Sequence, residues 1–262
     1  NMDHDHKDVE CMHVSNLQHH IPSNEQNNFY RVSSNPRGIV YIFNNSFVGE
    51  HNNARIGSEN DVKNLDEIFK TMGYKVKKYF DKTRDETMES LNHIQSDHEV
   101  RSVDSFILVI LSHGKENNYF YANDMKAIDL DDVRYMFVDS KCHALKGKPK
   151  IFLSSFCRGS SYERKIEYDA RNEDQSSEVD VPRDMITIYA SINRIKAARD
   201  PTKGTVFVQS LCKVLKKNAA SLELNDIYIK LGEEMRKNDG TTPESQNYGF
   251  KKFYFNPIKQ ML

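Results

Sequence analysis

Ser105-Phe-Ile-Leu-Val-Ile-Leu111 is an apolar run with no polar face to offer to water, and it is too short to cross a bilayer. A strand of this kind is stable only when covered on both sides, which places it inside a mostly parallel sheet between two layers of helices. Gly38-Ile-Val-Tyr-Ile-Phe43, bounded by Pro36 and Asn44, has the same character, and so do Lys150 to Ser155 and Met185 to Tyr189. Tyr74 to Phe80 reads as a further strand. Between these runs the period changes to that of helices: Val62, Leu65, Ile68, Phe69 and Met72 up to Gly73, and then Met88, Leu91 and Ile94. Ser58 with Asp61, and Thr83 with Glu86, have the spacing of capping boxes. Short β-like pieces at Tyr119 to Tyr121 and Ala127 to Ile128 precede a helix from Leu130 that bears Val133, Met136 and Phe137. The alternation predicts an α/β fold, with reactive groups gathered beyond the carboxyl ends of the strands.

The downstream part is simpler. Gly204 opens a helical stretch through Phe207, Leu211, Val214 and Leu215, a second covers Leu224 to Arg236, and Phe253-Tyr-Phe255 reads as a last strand. Residues 1–35 are polar, carry Asn-Glu-Gln-Asn-Asn at Asn24 to Asn28, lack periodicity and read as a disordered leader. The chain opens on Asn1, which suggests a fragment or a processed form. From Arg158 to about Pro182 the composition turns to Glu, Asp, Ser and Arg. A loop that long inside a compact domain is functional or disordered. It divides the chain into a large region, 36–168, an acidic linker, 169–184, and a small region, 185–262, both regions feeding one sheet.

At 262 residues the core needs no staples. A formal net charge of −1 speaks against nucleic acid or a membrane surface as an electrostatic partner, and clusters such as Lys75, Lys77 and Lys78 read as solvated faces. The four cysteines, Cys11, Cys142, Cys157 and Cys212, have no spacing that would indicate a disulfide framework or a zinc site. No metal or cofactor is expected, and His4, His6, His19 and His20 read as a polar tail. Cytoplasmic residence is the expectation from the cysteine usage and from the absence of an apolar signal core.

The chemistry is concentrated in two blocks, Leu111-Ser-His-Gly114 and Ser155-Phe-Cys-Arg-Gly159, each at the end of a strand. A cysteine and a histidine brought together there supply a nucleophile and a proton shuttle, the needs of acyl transfer. Taken with Arg55-Ile-Gly57, Asp61-Val-Lys-Asn-Leu65, Gly147-Lys-Pro-Lys-Ile-Phe152, Arg199, Phe207-Val-Gln-Ser-Leu-Cys212 and Phe253-Tyr-Phe255, they make the chain resemble the caspases over nearly all of its length after the leader. His113 precedes Cys157 by about 44 residues, close to the roughly 50 of that family's signature.

The resemblance implies a three-layer sandwich around a mostly parallel six-stranded sheet, and an endopeptidase that cuts proteins after aspartate, with cell death as the usual setting. It implies Cys157 as nucleophile, His113 as general base and acid, the N–H groups of Cys157 and Gly114 as the oxyanion hole, and Arg55 and Arg199 as the clamp on the substrate carboxylate. Two places depart from the family. Ser155 and Phe156 stand where caspases carry Gln-Ala, so the pocket loses an amide donor. Lys196, Ala197 and Ala198 replace an aromatic shelf, and the chain has no tryptophan. A weakened or altered peptidase and a decoy that binds and regulates an active relative therefore both stay open. Ile166-Glu-Tyr-Asp169 before Ala170 has the form of a processing site, with Ser177-Glu-Val-Asp180 as a second. Dimerisation, with an identical or a related chain, is implied along Lys252 to Asn256.

Overall fold

The computed structural model describes residues 28–49, 53–115, 118–158, 180–192, 199–238 and 240–258, and of Arg199 the backbone alone. In chain order the elements are β1 (Ile39–Asn44), α1 (Ser58–Thr71), β2 (Lys75–Phe80), α2 (Arg84–Ser96), α3 (His98–Ser102), β3 (Phe106–Leu111), β4 (Tyr119–Tyr121), β5 (Ala127–Asp129) and α4 (Leu130–Tyr135). They continue as β6 (Lys150–Ser155), β7 (Met185–Tyr189), β8 (Arg199–Asp200), β9 (Gly204–Thr205), α5 (Val206–Asn218), α6 (Leu224–Lys237) and β10 (Glu244–Tyr248). Six strands form one sheet in the order β10-β7-β6-β3-β1-β2, parallel except for β10. The expected mostly parallel six-stranded sheet is what the chain forms.

β1, β3 and β6 are buried along their whole length, because helices cover both faces. On one face Val40, Ile42, Ile107, Val109, Ile151 and Leu153 pack against α1, α5 and α6. On the other Tyr41, Phe43, Phe106, Leu108, Ile110 and Phe152 pack against α2, α3 and α4. Each such side chain contributes roughly 1.5–3 kcal/mol by leaving water. Continuous apolar strands are the sequence form of this double coverage.

Three expectations change. Phe253 and Phe255 are not a strand of the sheet: both are buried in the core beneath α1, α5 and α6. The last strand is β10, Glu-Ser-Gln-Asn-Tyr, whose polar inner side chains hide it from any hydrophobic pattern. The implied pairing edge moves there from Lys252 to Asn256. The Thr83–Glu86 capping box forms, whereas α1 starts from Gly57 at φ 85° with no side-chain cap. Asp61 is drawn away instead, its Oδ1 accepting the backbone N–H of Thr205 at 2.8 Å. Finally, packing begins before residue 36. Tyr30 and Val32 are in the core, and the Tyr30 hydroxyl donates to Asp184 at 2.7 Å.

Candidate active site

The register of the three central strands sets the site. Asn44 of β1 pairs with Leu111 of β3, and Leu111 with Ser155 of β6, so three carboxyl ends stand level. His113 and Cys157 each lie two residues beyond that row, on neighbouring strands. The Ser112 N–H donating to the Ser155 carbonyl at 3.3 Å carries the pairing one step past the sheet.

The two loops then touch. A methyl group on Gly114 would collide with the Cys157 carbonyl oxygen and stand 2.6 Å from the Phe156 ring, so only glycine permits this approach. The His113 ring nitrogen Nε2 lies 2.6 Å from the Asn53 carbonyl oxygen. A carbonyl can only accept, so Nε2 carries the proton and Nδ1 is the basic nitrogen. Phe47, at φ 53°, tilts its ring against His113 with centroids 4.9 Å apart. Asn53 contributes a backbone atom, which has no signature in a sequence.

Among the described thiols Cys157 is half-buried, while Cys142 is 1% exposed. Burial pushes Cys142 up, and pushes Cys212 up to about 12. Both are thiols held protonated in apolar surroundings, the inert form.

Arg55 is 3% exposed at the carboxyl end of β1, its Nη1 donating to Asn44 Oδ1 at 3.0 Å and to the Asn45 carbonyl at 2.9 Å. By strand alternation Asn44, Leu111 and Ser155 face the α1 and α5 side. Ser155 is thus on the same face as Asn44, about 10 Å away across two strand spacings. Its hydroxyl is buried and has no hydrogen-bond partner among the described residues. The hairpin of β8 and β9 brings the Arg199 backbone to this side. Thr205, opposite Arg199, is fixed to Asp61, and the Thr202 carbonyl accepts from Asn60 at 3.1 Å. A methyl on Gly57 would meet the Pro201 carbonyl oxygen at 2.5 Å, so the Arg55 loop and the Arg199 hairpin are in contact.

Lys196, Ala198 and Asp169 lie outside the described residues. Asp180 is away from the site: its Oδ2 accepts the Ser140 N–H at 2.7 Å, and hydrogen bonds from Ser140 hold its carboxyl below the usual range.

Comparisons with known proteins bear on the family and the fold. Residues 37–254 match the family model described as the caspase domain. The chain is 32% identical to caspase-3 of Bos taurus over 211 residues, 79% of this chain and 75% of the relative. It is 33% identical to caspase-3 of Mesocricetus auratus over the same shares. The crystal structure of caspase-1 from Spodoptera frugiperda superimposes with a TM-score of 0.77 at 21% identity, covering 93% of this chain and 99% of that one, a likeness of fold. A caspase-like sheet, the histidine-bearing and cysteine-bearing loops in contact at its carboxyl edge and a family match over most of the length lead to one conclusion: the chain belongs to the caspase family of cysteine proteases.

Proposed function

We propose that this protein is an endopeptidase that cuts polypeptides after aspartate, with Cys157 as nucleophile and His113 as proton shuttle. The observation that carries the reading is the contact of Gly114 with the Cys157 carbonyl, which sets the histidine loop against the cysteine loop. His113 takes the thiol proton, and the sulfur attacks the peptide carbonyl carbon. The carbonyl oxygen gathers the displaced electron pair, facing the N–H groups of Gly114 and Cys157. The pair returns as the C–N bond breaks, His113 protonates the leaving amine, and a thioester remains. Water, deprotonated by His113, attacks that carbonyl; the C–S bond breaks and the thiol is restored.

Arg55, with Arg199, is the clamp on the substrate carboxylate. Replacing Arg55 with alanine is expected to cost about 2–5 kcal/mol in substrate recognition. Serine at 155, shorter by an amide than the family's glutamine, supports a second reading, a decoy with too few donors to hold a substrate. Treating the protein with an aspartate-based electrophile and then offering an aspartate-containing peptide separates the two. Labelled Cys157 with turnover is the enzyme, and labelling without turnover, or neither, sinks it.

Activation by cutting after Asp169 accompanies this reading, since the Asp180 carboxylate is already engaged by Ser140. The mass of the mature protein decides: no break between Gly159 and Asp184 overturns it. The same reading places the protein in the cytoplasm and in cell death, which fractionation and loss-of-function cells test. It also pairs the protein through β10 with a copy of itself or a related chain.

A further inference from the structure

Large apolar side chains stand exposed at one corner of the molecule. Val48 is 82% exposed, Ile56 66% and Phe80 49%. One run of hydrogen bonds brings them together. The Asp81 N–H donates to the Asn44 carbonyl at 2.9 Å, the Ser46 N–H and hydroxyl donate to Asp81 Oδ1, and the Arg55 N–H donates to the Ser46 carbonyl at 2.7 Å. Phe80 and Ile56 are each next to a member of this run, and Val48 is two residues from Ser46. Single exposed apolar residues are ordinary, whereas several around one node mark a surface that binds something apolar.

The patch is continuous with the clamp on the substrate. Phe80 of β2 pairs with Asn44 of β1, in the row that continues through Leu111 to Ser155. Asn44 in turn holds the Arg55 guanidinium, and Ile56 follows Arg55 in the chain. The same loop closes on the histidine: the Phe47 ring lies 4.9 Å from the His113 ring and the Asn53 carbonyl 2.6 Å from its Nε2. His113 protonates the leaving amine, so the part of a substrate that follows the cut bond starts at the histidine, beside this loop. β2 lies two strand spacings from β3, about 10 Å, which is the reach of about three extended residues.

We propose that Val48, Ile56 and Phe80 form a specificity surface for the leaving side of the substrate, selecting polypeptides with large aliphatic residues among the first three positions after the aspartate. The inference rests on the reading of the protein as an aspartate-directed peptidase and narrows its substrate class. Lys196, Ala197 and Ala198 carry no aromatic ring before Arg199, so apolar selection passes from that side of the clamp to the Arg55 side. Taking exposed apolar surface out of water favours the complex, and a loop fixed by the Ser46, Asp81 and Arg55 hydrogen bonds is ordered before the substrate arrives.

Two peptides with one aspartate each, followed by three leucines or by three serines, read the effect as a ratio of kcat/KM. The wild-type ratio is expected to favour leucine about tenfold, and Val48→Ser, Ile56→Ser and Phe80→Ser together should bring it within about twofold. Ile56→Ser alone, which should lower the ratio about threefold, stands in should the triple variant fail to fold. The same ratio in the dissociation constants of the uncut peptides, measured on Cys157→Ser by fluorescence anisotropy, needs no turnover. A wild-type protein that cuts both peptides equally, or a leucine preference that survives the substitutions, overturns the proposal and leaves the peptidase reading intact. A leucine preference in binding without cutting upholds the proposal and counts against the peptidase reading, and neither cutting nor binding overturns both. Weaker self-association of the triple variant by sedimentation, with the ratio unchanged, overturns the proposal and assigns the patch to a second copy of this chain.

Discussion

Among the described residues the sheet ends in β2 on one side and in β10 on the other, and the two edges are fastened in opposite ways. β2 carries lysines tied to carboxylates of the adjoining helices: Lys75 to Glu99 at 2.5 Å, Lys77 to Asp97 at 2.6 Å and Lys78 to Asp66 at 3.3 Å. Lysine along an edge resists the addition of another strand. These pairs are partly exposed and remote from the nucleophile. β10 turns Glu244, Gln246 and Tyr248 inward onto Arg158, Tyr189 and Arg134, and shows only the uncharged Ser245 and Asn247 outward. One edge has its lysines paired with helix carboxylates, and the other, uncharged on its outer face, is bonded to the residue next to Cys157.

The sharpest way to break that contrast is Glu244→Ala. It removes one carboxylate from the buried Arg158 guanidinium and should cost about 2 kcal/mol by chemical denaturation, discounted for the partly exposed glutamate. Labelling of Cys157 should slow in parallel. Unchanged labelling would mean that β10 is no more coupled to the site than β2 is. Lysine at both Ser245 and Asn247 addresses the β10 edge. If β10 pairs as proposed, self-association by sedimentation should weaken at least tenfold, while stability falls by no more than about 1 kcal/mol, since only the hydrogen bond from the Phe250 N–H to Asn247 is lost. An unaltered association constant would place the contact elsewhere.

Asp97→Asn tests the β2 edge and should have the smallest effect, below about 1 kcal/mol, with Cys157 labelling unaffected. Its pH dependence is specific. Burial pushes the Asp97 carboxyl up, but hydrogen bonds from Lys77 and the Glu99 N–H outweigh that and hold it below the usual range. A lowered folded-state pKa gives stability that is present above the unfolded value of about 4 and lost as pH falls through the folded one. The gap in Tm between wild type and variant seen at pH 7 should therefore close in acid. A gap that stays constant to pH 2 would remove the ion pair as its cause.

What could be read in advance follows the reach of each interaction. The Thr83–Glu86 box is a contact within one turn, and it forms as its spacing says. Ser58 and Asp61 offer the same spacing, yet Asp61 is claimed by Thr205 from far along the chain, a partner no local window contains. β10 has too little apolar content to show a period of two, because its inner face serves hydrogen bonds to arginine and tyrosine and not a hydrophobic layer. Phe253 and Phe255 have the opposite history: apolar and strand-like, they fill the core from an irregular segment.

The sequence by itself determined the doubly covered strands, whose apolar runs can exist only inside a sandwich, and the cysteine and histidine blocks at their ends. Tertiary structure alone decided that the Asn53 carbonyl orients His113, that the Tyr189 ring touches both neighbours of Cys157, and that among the described residues β10 is the strand at that end of the sheet. The physical reason is the same in each case. Burial and backbone period are properties of a segment, whereas a hydrogen bond across the fold is a property of two segments that only packing brings together.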